Sequence, residues 1–145
     1  MPFLSGMDIS TSGLTAQRAR LDVISENIAN IDTTRTEDGK PYTRKYVVLQ
    51  ERNPSFASAL QKTAGEASAV GGVRVAEVGE DPSAYKLKYD PTNPDANADG
   101  YVEMPNVDAN QEIVDMLEAY RSYEANITAF GAYKDMAVKT LEIGG

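Results

Sequence analysis

Apolar residues at the two ends of the chain recur with helical spacing, and those between them do not. In the N-terminal segment 8–31, Leu14, Leu21 and Ile28 repeat every seven residues, and Ile24 and Ile31 fill the complementary heptad position. Such spacing lines side chains along one seam of an α-helix. Gln17 interrupts the seam, Val23 widens it, and Arg18, Arg20, Asp22 and Glu26 fall mostly outside it. The C-terminal segment 107–143 carries a longer stripe. Ile113, Tyr120, Ile127 and Leu141 mark one heptad position, broken by Lys134, and Met116, Tyr123, Phe130 and Ala137 mark the other. Neither segment contains proline, whereas residues 33–105 hold six of the seven.

Local chemistry places the ends of both helices. The polar run from Asn30 to Thr34 disfavours continuation of the first. Asp108 with Gln111 reads as a capping box opening the second. Glu112 and Asp115 then lie near the positive end of its dipole and Lys139 near the negative end. A helix from Asp108 to Glu142 is about 50 Å long at 1.5 Å per residue. Gly131 is its weak point, costing about 1 kcal/mol relative to alanine.

The predicted organisation is a rod-like helix over 1–32, a β-rich module over 33–105 and a second rod-like helix over 106–145. Strands are expected over 42–51, 73–78 and 84–89, where β-branched and aromatic residues cluster or alternate. Residues 36–41 form a turn by their chemistry, and a flexible loop is expected near 53–72. The fold class is α+β, with long terminal helices and a small β-rich middle.

Composition narrows the chemistry. The 145 residues include no cysteine, histidine or tryptophan. That removes disulfides, thiolate chemistry, the usual zinc sites and the commonest general base. No cofactor is expected, and an enzyme is the least favoured class. The net charge is −8, and no segment is basic, so nucleic acid and anionic membrane surfaces are not expected partners. No apolar stretch is long enough to span a bilayer. The first residues lack the positive, then apolar, pattern of a Sec-type signal. The protein is therefore expected to be cytoplasmic unless a route without a cleaved signal exports it.

One loop tempts a metal reading. Asp95, Asn97, Asp99 and Gly100 match positions 1, 3, 5 and 6 of a calcium loop, but the twelfth position is Asn106 and Pro91 and Pro94 preclude a preceding helix. A turn-rich loop is the simpler reading. The other carboxylates read as solvated surface.

The stripes leave two arrangements open. The helices pack on each other within a monomer, or they fold when neighbouring subunits supply the missing surface. Tyr120, Tyr123 and Tyr133 point to more than one face of the second helix, which favours neighbours. The expected assembly residues are Leu14, Leu21, Ile24, Ile28, Ile31, Ile113, Met116, Tyr120, Tyr123, Ile127, Phe130 and Leu141.

The run SGLTAQRARLDVISENIANIDTT at 12–34 resembles the N-terminal signature of bacterial flagellar rod and hook proteins. The segment from Tyr89 through Asn93-Pro-Asp-Ala96 and Asp99-Gly-Tyr-Val-Glu-Met-Pro-Asn-Val107 resembles the one that distinguishes the proximal-rod members, as does the tail from Glu112 to Ile143. The resemblance covers essentially the whole chain. Glu26 and Asp32 depart from the asparagines usual there, and Thr92-Asn93 from a frequent Gly-His.

This resemblance implies a structural subunit of a tubular, torque-transmitting axle that also conducts exported subunits. The terminal helices would pair as a coiled coil in its inner layer, with the middle module outside. The implied partners are other rod proteins, the rod base, further copies of the chain and the type III export apparatus. The implied location is the basal body within the cell envelope. Alternatives are another axial subunit of the same superfamily, or a secreted adaptor binding calcium or cell wall.

Overall fold

Two long helices run antiparallel along one side of the molecule, as seen in a computed structural model that describes residues 2–52 and 71–143. Helix α1 spans Pro2–Ala29 and helix α2 spans Ala109–Ile143. Between them lie strands β1 (Lys45–Glu51), β2 (Val73–Glu80), β3 (Lys86–Tyr89) and β4 (Tyr101–Met104). No helix among the described residues is long and apolar enough to cross a membrane. Most of the loop expected near 53–72 lies outside the described residues.

Three contacts fix the helix register. Asn27 Nδ2 donates to Glu112 Oε2 at 3.1 Å. A Cβ on Gly13 would meet the Asn126 side chain at 2.8 Å, and one on Gly6 would meet the Tyr133 ring at 2.6 Å. From 27 to 13 to 6, and from 112 to 126 to 133, the partners move by the same numbers in opposite directions. Heptad steps on both helices describe an antiparallel coiled-coil seam. On α1 the seam runs through Gly6, Ser10, Gly13, Gln17, Arg20, Ile24 and Asn27. On α2 it runs through Glu112, Met116, Ala119, Tyr123, Asn126, Phe130 and Tyr133.

This seam bears out the pairing of the terminal helices as a coiled coil, and of the two arrangements left open it shows packing within one molecule, not the one that Tyr120, Tyr123 and Tyr133 favoured. Each helix covers one face of the other, using small and polar residues as much as apolar ones. Absence of a Cβ at Gly6 and Gly13 lets larger side chains enter at those points. Buried Ser10 turns its hydroxyl back to the Gly6 carbonyl at 3.0 Å, so it needs no partner across the seam.

The ends of the helices follow their local chemistry with two differences. Helix α1 starts at Pro2, six residues before the apolar stripe, because Gly6 finds Tyr133 rather than solvent. It stops at Ala29, so Ile31 lies in the following turn, where Thr33 N bonds the Asn30 carbonyl. At the start of α2, Asp108 Oδ1 accepts from the backbone N–H of Asn110 and Gln111. Those bonds, led by the one from Gln111, hold the Asp108 carboxyl below its usual range.

Among the described residues the middle forms two separate two-stranded sheets. Strands β1 and β2 pair antiparallel with a bulge between Val48 and Leu49. β1 starts at Lys45 rather than at Tyr42, because Tyr42 to Arg44 are drawn into bonds with α1, α2 and the loop after β4. Strands β3 and β4 pair antiparallel, with Tyr89 opposite Tyr101. The turn expected at 36–41 is present, closed by Thr36 N on the Lys40 carbonyl at 2.8 Å. β4 was not expected, since its four residues follow a loop dominated by Asp, Asn and Pro.

Candidate assembly interface

A buried polar junction sets how the helix pair is held. Asn27 is almost wholly buried and all its hydrogen-bonding capacity is used. Its Nδ2 donates to the Lys45 carbonyl at 2.8 Å and to Glu112, and its Oδ1 accepts from Lys45 N and Tyr42 OH at 2.9 Å each. Glu112, with no exposed surface, also accepts from Arg44 Nε at 2.6 Å. The Arg44 guanidinium reaches Asp115 at 3.3 Å and Asp81 at 3.8 Å. Asn106 Oδ1 accepts from Arg44 N at 2.7 Å while its Nδ2 donates to the Asp81 and Ser83 carbonyls. One asparagine, one arginine and one glutamate thus tie the end of α1, the start of β1 and the start of α2.

The sheet β1–β2 and its lead-in occupy one side of the hairpin. The residues that meet them stand one step before the paired seam. Ser12 Oγ accepts from Val73 N at 3.1 Å, Glu26 pairs with Lys45, and Asp115 with Arg44. One step after the seam, each helix turns by about 100° the other way. Because the helices run antiparallel, both rotations lead to the same side, opposite the sheet.

That opposite side carries an interrupted apolar stripe on each helix. Helix α1 presents Leu14, Leu21 and Ile28 there, half-buried, and α2 presents Ile113, Tyr120 and Ile127, about half exposed. The register brings Leu14 level with Ile127, Leu21 with Tyr120 and Ile28 with Ile113. The α2 stripe continues through Leu117, 54% exposed, Val138 and Leu141, the last 76% exposed. Large side chains exposed in a run like this are uncommon on proteins that stay single.

The twelve residues expected at an assembly interface therefore divide. Ile24, Met116, Tyr123 and Phe130 lie on the seam between the two helices, and Ile31 lies in the turn beyond α1. Leu14, Leu21, Ile28, Ile113, Tyr120, Ile127 and Leu141 lie on the open face. Leu117 and Val138 belong to that face and were missed. Their signal was available, since each lies three or four residues from a predicted member.

In the loop that resembles a calcium site, the side-chain oxygens of Asp95 and Asn97 are engaged in turns and ties. Asp95 accepts from Thr34 Oγ1 at 2.8 Å and lies 3.7 Å from Arg35. Asn97 Oδ1 accepts from the backbone N–H of Asp99 and Tyr101. Gly100 takes φ +83°, which favours glycine. Asn106, at the twelfth position, is turned into the buried junction.

Comparison with known proteins finds matches at both ends of the chain. Residues 7–35 match the family model described as flagella basal body rod protein. Residues 98–143 match the model described as flagellar basal body rod FlgEFG protein C-terminal. The flagellar basal-body rod protein FlgC of Bacillus subtilis is 50% identical over 149 aligned residues, covering 99% of both chains. The protein of that name in Borreliella burgdorferi is 44% identical, covering 99% of this chain and 98% of its own. In Salmonella typhimurium the figure is again 44%, with 99% of both chains covered.

Proposed function

The chain belongs to the FlgC family of flagellar basal-body rod proteins, and we propose that it is built into the rod through the open face of its helix hairpin. Its role is structural rather than enzymatic, and its place is the flagellar basal body. The observation that carries the assembly reading is the exposed stripe of Ile113, Leu117, Tyr120, Ile127 and Leu141 beside Leu14, Leu21 and Ile28. Each such side chain taken out of water contributes roughly 1.5–3 kcal/mol when fully buried. Repetition along α2, about 50 Å long, makes a stiff, interlocked contact suited to transmitting torque. The finer reading is a proximal-rod subunit contacting other rod proteins, the rod base and further copies of itself, with the strand module outside the helical layer. Export through the type III apparatus in largely unfolded form completes it, and absence of cysteine suits that route because no disulfide can lock the chain.

The test substitutes the open face alone. Ile127→Asp and Leu21→Asp are expected to abolish motility. Because Ile127 is 48% exposed, the purified Ile127→Asp chain keeps its wild-type circular dichroism. Cells that swim normally with either substitution contradict the reading.

A further inference from the structure

The open stripe of α2 is complementary to itself. It follows the heptad steps Ile113, Leu117, Tyr120, Glu124, Ile127, Gly131, Lys134, Val138, Leu141, one residue beyond the seam used against α1. Two polar members and one glycine interrupt it, and they are placed symmetrically. If a second α2 lies antiparallel, with its residue 131 level with residue 127, every layer from Leu117 to Leu141 matches. Leu117 meets Leu141, Tyr120 meets Val138, Glu124 meets Lys134 and Ile127 meets Gly131. Each layer occurs twice about a two-fold axis. A parallel pair in register does the reverse, setting Glu124 against Glu124, Lys134 against Lys134 and glycine against glycine. Charge complementarity therefore selects the antiparallel orientation.

Shape agrees with charge. A Cβ built on Gly131 meets nothing within 4 Å, so the helix carries an open notch at that point. Ile127, 48% exposed, is the side chain that the two-fold brings over it. Glu124 and Lys134 are both exposed, and no ion pair occupies either among the described residues.

We propose that α2 pairs with α2 of a second copy in this antiparallel register, giving a closed two-fold dimer. Such a contact uses the same patch on both chains and ends with two. A filament whose subunits all point one way cannot contain it. The dimer thus covers the α2 part of the open face from Leu117 to Leu141 and holds the chain apart from any polar assembly until the pair separates. The argument rests on the stripe alone and not on the rod reading.

Sedimentation velocity of the purified full chain at low salt tests it. The wild type is expected to show a concentration-dependent monomer–dimer equilibrium. Glu124→Lys and Lys134→Glu each replace two attractive layers by repulsive ones and should weaken the dimer about tenfold. An equimolar mixture of the two single variants, and the chain carrying both substitutions, should recover it, because opposite charges again meet. A wild type that stays monomeric at about 1 mM, single variants that dimerise as tightly as wild type, or a mixture that fails to recover the dimer would overturn the proposal. Motility decides the rod reading separately, so either idea can fall without the other.

Discussion

Arg44 and Glu112 are 68 residues apart in sequence and meet at 2.6 Å, Nε to Oε1, with the glutamate side chain wholly buried. The contact fastens the chain entering β1 to the first turn of α2. Glu112 is also held by Asn27, so the same carboxylate closes the base of the helix pair. A buried charge of this kind is tolerable because both its oxygens are bonded.

Removing the arginine leaves that carboxylate uncompensated. Arg44→Met is expected to lower stability by about 3 kcal/mol. Arg44→Met combined with Glu112→Leu should lose distinctly less than the two single changes summed. Urea unfolding of the four chains gives the coupling, and strict additivity would refute it.

Gln17 is the weak rung of the seam. Its Oε1 is buried with no hydrogen-bond partner among the described residues. An unsatisfied buried acceptor costs about 1–3 kcal/mol, so Gln17→Leu should stabilise the chain by about 1 kcal/mol or more. A midpoint of thermal unfolding that falls instead would show the amide to be better placed than its geometry indicates.

Two glycines with equal helix propensity should respond differently to alanine. At Gly131 the added methyl enters open space, so the full gain of about 1 kcal/mol is expected. At Gly6 it would lie 2.6 Å from the Tyr133 ring, which must move. Denaturation should therefore find Gly131→Ala more stable than Gly6→Ala, and the reverse order would place the seam elsewhere.

Burial, then the charges of Glu26, Glu112 and Glu80, push the Tyr42 hydroxyl up from 10.0 to about 12. The folded state thus keeps this proton after the unfolded state has lost it. The stability this confers is complete below pH 10 and declines as pH rises from 10 towards 12. Ultraviolet titration of the tyrosinates should show one lagging component, absent from Tyr42→Phe. A Tyr42→Phe chain with the same lag would assign it to another tyrosine.

Much of this molecule was legible because a helix writes its period into the chain. The stripes at Leu14, Leu21 and Ile28 and at Ile113, Tyr120 and Ile127 located both helices, and Asp108 marked the start of the second. Seven members of the open face were in the expected set, because apolar side chains at heptad spacing need no partner to be seen, while Leu117 and Val138 were left out of it. The other seam was legible only at Ile24, Met116, Tyr123 and Phe130, and its remaining members were hidden. Gly6, Gly13, Asn27, Glu112 and Asn126 carry it, and none of them counts as apolar in a periodicity.

By itself, then, the sequence determined two amphipathic helices, a strand-rich interval and the absence of the usual catalytic groups. Only the tertiary structure decided that each stripe splits into a seam turned inward and a face left open. The physical reason is register. A helix has no preferred partner or direction until long-range contacts fix them, here Asn27 with Glu112 and Arg44 with Glu112. Those contacts depend on how distant parts of the chain meet, and no local pattern encodes that meeting.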